Sequence, residues 1–517
     1  MQIDEQETVA TEQADTPAST IASAPEYAAE AALEQPPVNK WLVLAVVGVG
    51  GFMAALNSAS LIIILPTLQH DLNTDLINIL WVLLSYTLAT AVLLLSVGRL
   101  ADLIGNKRIY LAGYLIFGVG SVCCALANNV WFLIAARFVQ GIGGALLIAN
   151  TSAIITHTFP RRELGRALGT ASVAFSVGTT LGPIVGGILT DQINWHWAFW
   201  FNVPIAAIGL LLAARYLYNE VGTREKTTRE RFDWTGAVTL AISLSALLYF
   251  VSLGPLYGWG SARILGALAL SIVAAAFFIY SQLRVAHPLL QLRLFNNRLF
   301  TMANLSASLA SMGMIAVLFL MPFYLEDVLG YTLFVSALLL TPYPVTMLIV
   351  APISGWLSDR LGSRTLGTIG MALSALSLLW MSTLTNHSTY GEVAVRLVVL
   401  GLGMGLFQSP NNSAVMSAAP VNARGVASAV LGTMRNLGTM LGIGITGAVF
   451  VSFMPFNAFL QLALTGETTQ SGVDAVIAAF RICYWAATFF AVLGIITSLS
   501  RGRAHPAKME QPEQQPA

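Results

Sequence analysis

Charge is the first thing this chain lacks. Only 10% of its 517 residues are Asp, Glu, Lys or Arg, where soluble domains carry about a quarter. So little charge cannot dress a compact body for water, and a mean hydropathy of +0.72 makes lipid the expected solvent. Cysteine is scarce too. Cys123 and Cys124 are neighbours in one apolar run and Cys483 lies in another, which leaves no disulfide framework and no thiolate metal spacing. The six histidines fall at no metal-binding interval. Nor is there a glycine-rich phosphate loop, a zinc-binding histidine pair on a helix, or a Ser/His/Asp set at a common depth. ATP drive, catalysis, a cofactor and a nucleic-acid partner therefore all lack their parts.

What the chain has is apolar runs. They fall at roughly 42–66, 79–98, 109–127, 130–156, 168–190, 197–217, 235–255, 262–282, 301–325, 333–357, 366–385, 391–416, 427–452 and 476–499. Each is near the 20 or so residues that a helix needs to cross a bilayer, so fourteen transmembrane helices are expected. Basic residues orient them. Placing the N-terminus inside gathers the 26 Lys and Arg on that side, except Arg263, which faces out, and Arg137, Arg396, Arg435 and Arg481, which lie within runs. Both termini are expected in the cytosol, with the chain multi-pass in a plasma or bacterial inner membrane. Residues 1–40, with eight acids and a single Lys, read as a disordered cytosolic tail without a secretory signal, and 501–517 as a second tail.

The runs also repeat. Gly98-Arg-Leu-Ala-Asp102-Leu-Ile-Gly105-Asn-Lys107-Arg108 is echoed by Gly355-Trp-Leu-Ser-Asp359-Arg360-Leu-Gly362-Ser-Arg364. Arg137 is matched by Arg396, Phe159-Pro160 by Ala419-Pro420, and Gly178, Gly182 and Gly187 by Gly438, Gly442 and Gly447. A duplicated charged loop and duplicated glycines imply two related six-helix bundles, 41–218 and 300–500. The segment 219–299 is then a linker, with basic residues at 219–232, and an inserted helix pair.

These residues resemble the major facilitator superfamily, and within it the fourteen-helix drug:proton antiporters. The loop from Gly98 to Arg108 is similar to the motif between helices 2 and 3. Arg137-Phe-Val-Gln140-Gly141 is similar to the helix 4 motif, and Gly178, Gly182, Pro183, Gly186 and Gly187 to the helix 5 antiporter pattern. The resemblance covers about 41–500 and implies an all-α integral membrane protein of two bundles. Two positions depart: Leu103 stands where a basic residue often follows the Asp of the loop motif, and where the family has an Asp in helix 1, this chain has Asn57.

Each motif also has a physical reading. Gly98, Gly105, Gly355 and Gly362 allow close approach and tight turns. Asp102 and Asp359, with Arg108, Arg360 and Arg364, could latch the two bundles on the cytosolic side. The glycines of helix 5 at four-residue intervals make a flat packing groove, bent by Pro183. Arg137 and Arg435 are costly within lipid unless partnered or functional. The acids are equally informative, because none lies deep in a run: Asp71, Asp75, Asp191, Glu326, Asp327, Glu392, Glu467 and Asp474 fall near one set of run ends, and Asp102, Glu163, Asp233 and Asp359 near the other. A carrier of organic cations needs a buried carboxylate. The expected cavity instead offers Asn57, Ser60, Gln140, Asn150, Asn304, Gln408, Asn411 and Arg435, which suits a neutral, polar-aromatic or anionic solute. The expected function is export of amphipathic small molecules by alternating access, with protons as the exchanged ion. Uptake of a neutral or anionic nutrient by the same fold is the alternative, and a transporter-like sensor the more distant one.

Overall fold

The computed structural model describes residues 39–160, 163–217, 232–285, 288–420, 423–453 and 470–501. The two expected tails and the basic segment 219–232 therefore fall almost wholly outside the described residues, as do the side chains of Asp102 and Asp359. Among the described residues, fourteen helices are long and apolar enough to cross a bilayer. They are α1 Lys40–Ile63, α2 Leu76–Ile104, α3 Asn106–Ala125, α4 Val130–Thr158, α5 Leu164–Gln192, α6 (His196–Trp200 and Asn202–Tyr216), α7 Trp234–Tyr257 and α8 Ala262–Arg284. Then come α9 Arg298–Phe323, α10 (Leu333–Leu340 and Pro342–Leu361), α11 Ser363–Met381, α12 Tyr390–Ala418, α13 Arg424–Phe453 and α14 Gln470–Leu499.

Local chemistry sets the ends. Short polar side chains take up free first-turn amides: Asp75 Oδ1 accepts from Asn78 N and Asn129 Oδ1 from Phe132 N, each at 2.8 Å. Between α2 and α3 the turn is a single glycine, Gly105 at φ 102°, and between α10 and α11 it is Gly362 at φ 82°. A side chain would strain both. Gly105 N donates to Ala101 O at 2.8 Å and Gly362 N to Ser358 O at 2.9 Å, so the two copies of the loop fold alike.

Packing repeats the same plan. α1 lies along α5, α2 and α3 along α4, and α3 along α6; in the second bundle α9 lies along α13, α10 and α11 along α12, and α11 along α14. The glycines explain the first pair. A Cβ at Gly182 would stand 2.6 Å from Ala59 Cβ and 2.8 Å from Leu56 O, while Gly178 meets Phe52 O and Gly186 meets Ser60. Without side chains there, α1 settles into α5 at backbone distance. In α13, Gly438 meets Ser308 and Gly442 meets Met312 and Ile315 of α9.

The bundles meet at the face opposite the basic loops. Gly187 of α5 packs on Ala337 of α10, and Gly447 of α13 on Leu80 of α2. These are one contact made twice. The shift that carries Gly98 to Gly355 carries Leu80 to Ala337, and the shift that carries Gly178 to Gly438 carries Gly187 to Gly447. At the same face His70 Nε2 lies 3.9 Å from Asp327 Oδ1, which joins the short helix Leu65–Asp71 to a π-helical turn, Tyr324–Val328, that ends α9.

The inserted pair is a tight hairpin. Ser243 Oγ donates to Ser271 O at 3.1 Å and Ser271 Oγ returns a bond to Ser243 O at 3.0 Å. At its base Gln282 Nε2 donates to Asp233 Oδ2 at 2.7 Å. α7 packs against both α2 and α13, and α8 packs on α7. The hairpin thus lies over one of the two seams between the bundles.

Candidate functional site

The polar residues expected to share one cavity separate into two groups. Arg137, Gln140 and Asn57 form the first, inside the N-terminal bundle. Arg137 is 1% exposed; its Nη1 donates to Gln140 Oε1 and its Nε to Val82 O, while the guanidinium lies 4.4 Å from the centre of the Tyr86 ring. Gln140 Nε2 donates to Ser121 Oγ at 2.8 Å and to Asn57 Oδ1 at 3.2 Å. Asn202 Nδ2 adds a bond to the same Asn57 oxygen at 3.3 Å. The chain ties α1, α3, α4 and α6 together. It answers the cost of a charge in lipid with charge-assisted bonds and a ring face.

Asn57, 2% exposed, is thus placed between helices rather than on an open wall. Ser60, Asn150 and Asn304 are likewise buried at 2%, 0% and 1%. Ser60 fills the groove at Gly186. Asn304 Nδ2 donates to Phe300 O of its own helix at 2.9 Å, and neither amide atom of Asn150 has a hydrogen-bond partner. Gly141 lies against Tyr86 O and Ala89 of α2, where a Cβ would be 2.7 Å and 2.9 Å away. The physical reason is general: in lipid, polar side chains serve to bind helices to one another as readily as to line a channel. Composition cannot tell the two uses apart.

The second group is in the C-terminal bundle. Gln408 and Asn412, one helical turn apart on α12, are half-buried, and so is Arg435 of α13. Arg435 Nη2 donates to Asn412 Oδ1, and among the described residues no carboxylate pairs with it. At 100° per residue, Arg435 falls between the side of α13 that meets α2 (Gly432, Gly447) and the side that meets α9 (Gly438, Gly442). That sector faces the space between the bundles. The repeat makes Phe175 of α5 the counterpart of Arg435, and Phe175 is 45% exposed. Asn411, adjacent to Asn412, is fully buried and accepts from Arg501 Nη2 at the end of α14. Burial holds the Arg501 guanidinium down to about 10.

The remaining motif residues lie at the basic face. A Cβ on Gly98 would meet nothing within 4 Å, whereas one on Gly355 would come 2.7 Å from Ser409 Oγ. Arg108, Arg360 and Arg364 are exposed, and Arg360 stacks on Trp356 with 4.3 Å to the ring centre. Tyr86 and Trp380 are occupied beneath Arg137 and Arg396, and the Tyr343 hydroxyl points to Met314 Sδ at 2.6 Å. Among the described residues no group of three or more His, Cys, Asp or Glu could hold a metal.

Two bundles related by an internal repeat, with a cation between them that pairs with no carboxylate among the described residues, are the frame of a carrier. The sequence profile of the Major Facilitator Superfamily matches residues 47–443. The chain belongs to this superfamily. It is 31% identical over 464 residues to riboflavin transporter RibZ of Clostridioides difficile, an alignment covering 89% of this chain and 97% of RibZ. It is 32% identical over 412 residues to the tetracenomycin C resistance and export protein of Streptomyces glaucescens, covering 80% and 76% of the two chains. The crystal structure of a bacterial homolog of the human lysosomal transporter Spinster, inward-facing and unoccupied, superposes with a TM-score of 0.64 over 90% of this chain and 97% of that one. At 16% identity it is a likeness of fold alone. As a major facilitator protein the chain is a multi-pass membrane transporter, not an enzyme.

Proposed function

We propose that this major facilitator protein exports amphipathic small molecules that are neutral or carry negative charge, by rocking of its two bundles, 41–218 and 300–500, about a midplane site. The observation that carries the reading is Arg435: a half-buried guanidinium turned to the space between the bundles, bonded to the neutral Asn412 and, among the described residues, to no carboxylate. A cation so placed attracts an anionic or strongly dipolar group and repels an organic cation. Gln408 adds a neutral donor and acceptor, and Phe175 an aromatic face. The distribution of Lys and Arg supports a cytosolic position for both termini and the basic loops, and the duplication of the loops carrying Asp102 and Asp359 supports their role as the latch.

Proton exchange is the proposed drive, supported by the glycine and proline pattern of α5. The Arg137 network contributes no carboxyl group to it: its other members are the amides of Gln140, Asn57 and Asn202, the Ser121 hydroxyl, the Val82 carbonyl, the Cys124 thiol and the Tyr86 ring. Uptake is the second reading, favoured by the similarity to a riboflavin transporter.

Purified protein in liposomes of known orientation, with an imposed pH gradient, separates these. The probes are anilinonaphthalene sulfonate, riboflavin and ethidium. Export driven by a proton gradient predicts movement of the sulfonate against its gradient only when protons flow the other way, with ethidium excluded. Arg435→Ala should weaken apparent affinity for the sulfonate about 10- to 100-fold, the worth of one charge-assisted bond. Preferential transport of ethidium, or indifference to Arg435→Ala, would sink the reading.

A further inference from the structure

The two bundles close the same corner with different chemistry. Glycine contacts set the register between them: Gly113 on Leu147 repeats as Gly370 on Phe407, Gly143 on Phe117 as Gly403 on Ser374, and Gly209 on Tyr114 as Gly494 on Met371. The same register carries Tyr110, Thr151, Ala213 and Tyr216 of α3, α4 and α6 to Gly367, Asn411, Ser498 and Arg501, on α11, on α12 and at the end of α14. In the N-terminal bundle this corner is aromatic and apolar, and its buried hydroxyls are bonded. Tyr110 OH donates to Val47 O at 3.1 Å and Thr151 Oγ1 to Leu147 O at 2.9 Å, while Ala213 is fully buried. The fold therefore closes this corner without a charge.

The C-terminal bundle puts a cation there. Arg501 is 2% exposed, and Asn411 and Ser498 are fully buried. Arg501 Nη2 donates to Asn411 Oδ1, and the guanidinium lies 5.6 Å from the centre of the Phe407 ring. Among the described residues, Arg501 Nε, Arg501 Nη1 and Asn411 Nδ2 have no hydrogen-bond partner. All three are donors. Ser498 Oγ, 3.2 Å from Thr368 Oγ1, carries a hydroxyl that can turn to a stronger acceptor. Gly367 leaves the room: a Cβ there would stand 3.3 Å from both Arg501 Nη1 and Ser498 Oγ. A buried guanidinium with unbonded N–H groups is costly, and the other bundle shows that the fold does not require one.

We infer that this corner is an anion site, which takes one monovalent inorganic anion of chloride's size between Arg501, Asn411 and Ser498, over the bare backbone of Gly367. One charge answers one charge, and the N–H groups gain an acceptor that no described residue supplies. The room is about that of a missing methyl group, too little for a tetrahedral phosphate. The donors are closed over, so the ion enters as the Arg501 head swings on its own side chain, just past α14. Bound there, it ties α14 to α11 and α12 at the basic face. It stabilises the C-terminal bundle alone, because Tyr110, Ala213 and Tyr216 leave the other bundle no cationic counterpart. The site does not depend on what the protein carries.

Thermal unfolding of the purified protein in detergent tests this, with sodium gluconate exchanged for sodium chloride at constant ionic strength. Chloride should raise Tm saturably, by about 2–4 °C. Gly367→Ala puts a methyl where the ion sits and should abolish the increment, as should Arg501→Gln. Ser498→Ala copies Ala213 of the other bundle and should raise the half-saturating chloride concentration about 10-fold, as loss of one hydrogen bond to a charged group predicts. If Arg501→Gln does not fold, the two milder variants decide. No increment in the parent, or an undiminished one in Gly367→Ala, overturns the site. Inorganic phosphate stabilising as well as chloride also overturns it, since the corner would then take an oxyanion or a lipid headgroup. Crystals grown in bromide give the direct readout. An anomalous peak in contact with Arg501 Nη1 is expected, and a water at that position rejects the anion.

Discussion

Asn57 decides much at the scale of single residues. Its oxygen accepts from both Gln140 and Asn202, while its own Nδ2 is buried without a partner. An oxygen in place of that nitrogen removes an unsatisfied donor and puts a negative charge on the chain that ends in Arg137. Asn57→Asp is therefore expected to fold as well as the parent at neutral pH. Asn57→Leu strands two donors, and interhelical bonds in lipid are each worth about 0.6–2 kcal/mol, so a loss of about 1–3 kcal/mol is expected. Thermal unfolding in detergent checks both; a Leu variant as stable as the parent would mean the network holds nothing. The sequence made Arg137 and Asn57 conspicuous but not their relation. They stand 80 residues apart, and only the packing of α1 on α4 makes them members of one chain of bonds.

Within elements, the glycine interval was readable directly. Four-residue spacing in α5 requires a flat face whatever lies against it, and the structure supplies α1. Gly182→Leu should force α1 and α5 apart at a cost of about 1–3 kcal/mol or more, since even a Cβ there meets Ala59 at 2.6 Å. Gly169 is the control, in the same helix with nothing within 4 Å of an added Cβ. Gly169→Ala should be neutral or stabilise by up to about 1 kcal/mol through helix propensity. Equal destabilisation at both sites would deny the groove its role. Helix ends were less legible. α2 runs to Ile104, six residues beyond its apolar run, because Arg99 and Asp102 continue the helix into the loop until Gly105 stops it.

For the whole molecule, the contacts Gly187 on Ala337 and Gly447 on Leu80 close one face. Bulk at either should wedge the bundles apart there, since both helices would have to retreat from the partner bundle. With spin labels at Gln192 and His387, both exposed on that face in opposite bundles, Gly187→Leu or Gly447→Leu should lengthen the mean separation and populate a second, longer distance. An unchanged distribution would show that these glycines do not hold the closed face. The single contact of His70 with Asp327 joins the bundles at the same face, so the duplicated glycine contacts are not all that closes it.

Sequence alone determined the number of spans, the duplication and the superfamily resemblance, because each follows from one-dimensional quantities: hydropathy over a helix length, and residue identity at a fixed interval. Tertiary structure decided which polar residues face one another and which face open space. Asn57, Ser60 and Gln408 are equally polar on paper, but only the rotation of each helix against its neighbours sends the first two into interfaces and leaves Gln408 half-exposed beside Arg435's partner. It also decided where the inserted hairpin lies. Nothing local in α7 names α2 and α13 as its neighbours; that choice is made by complementary surfaces contributed from both ends of the chain.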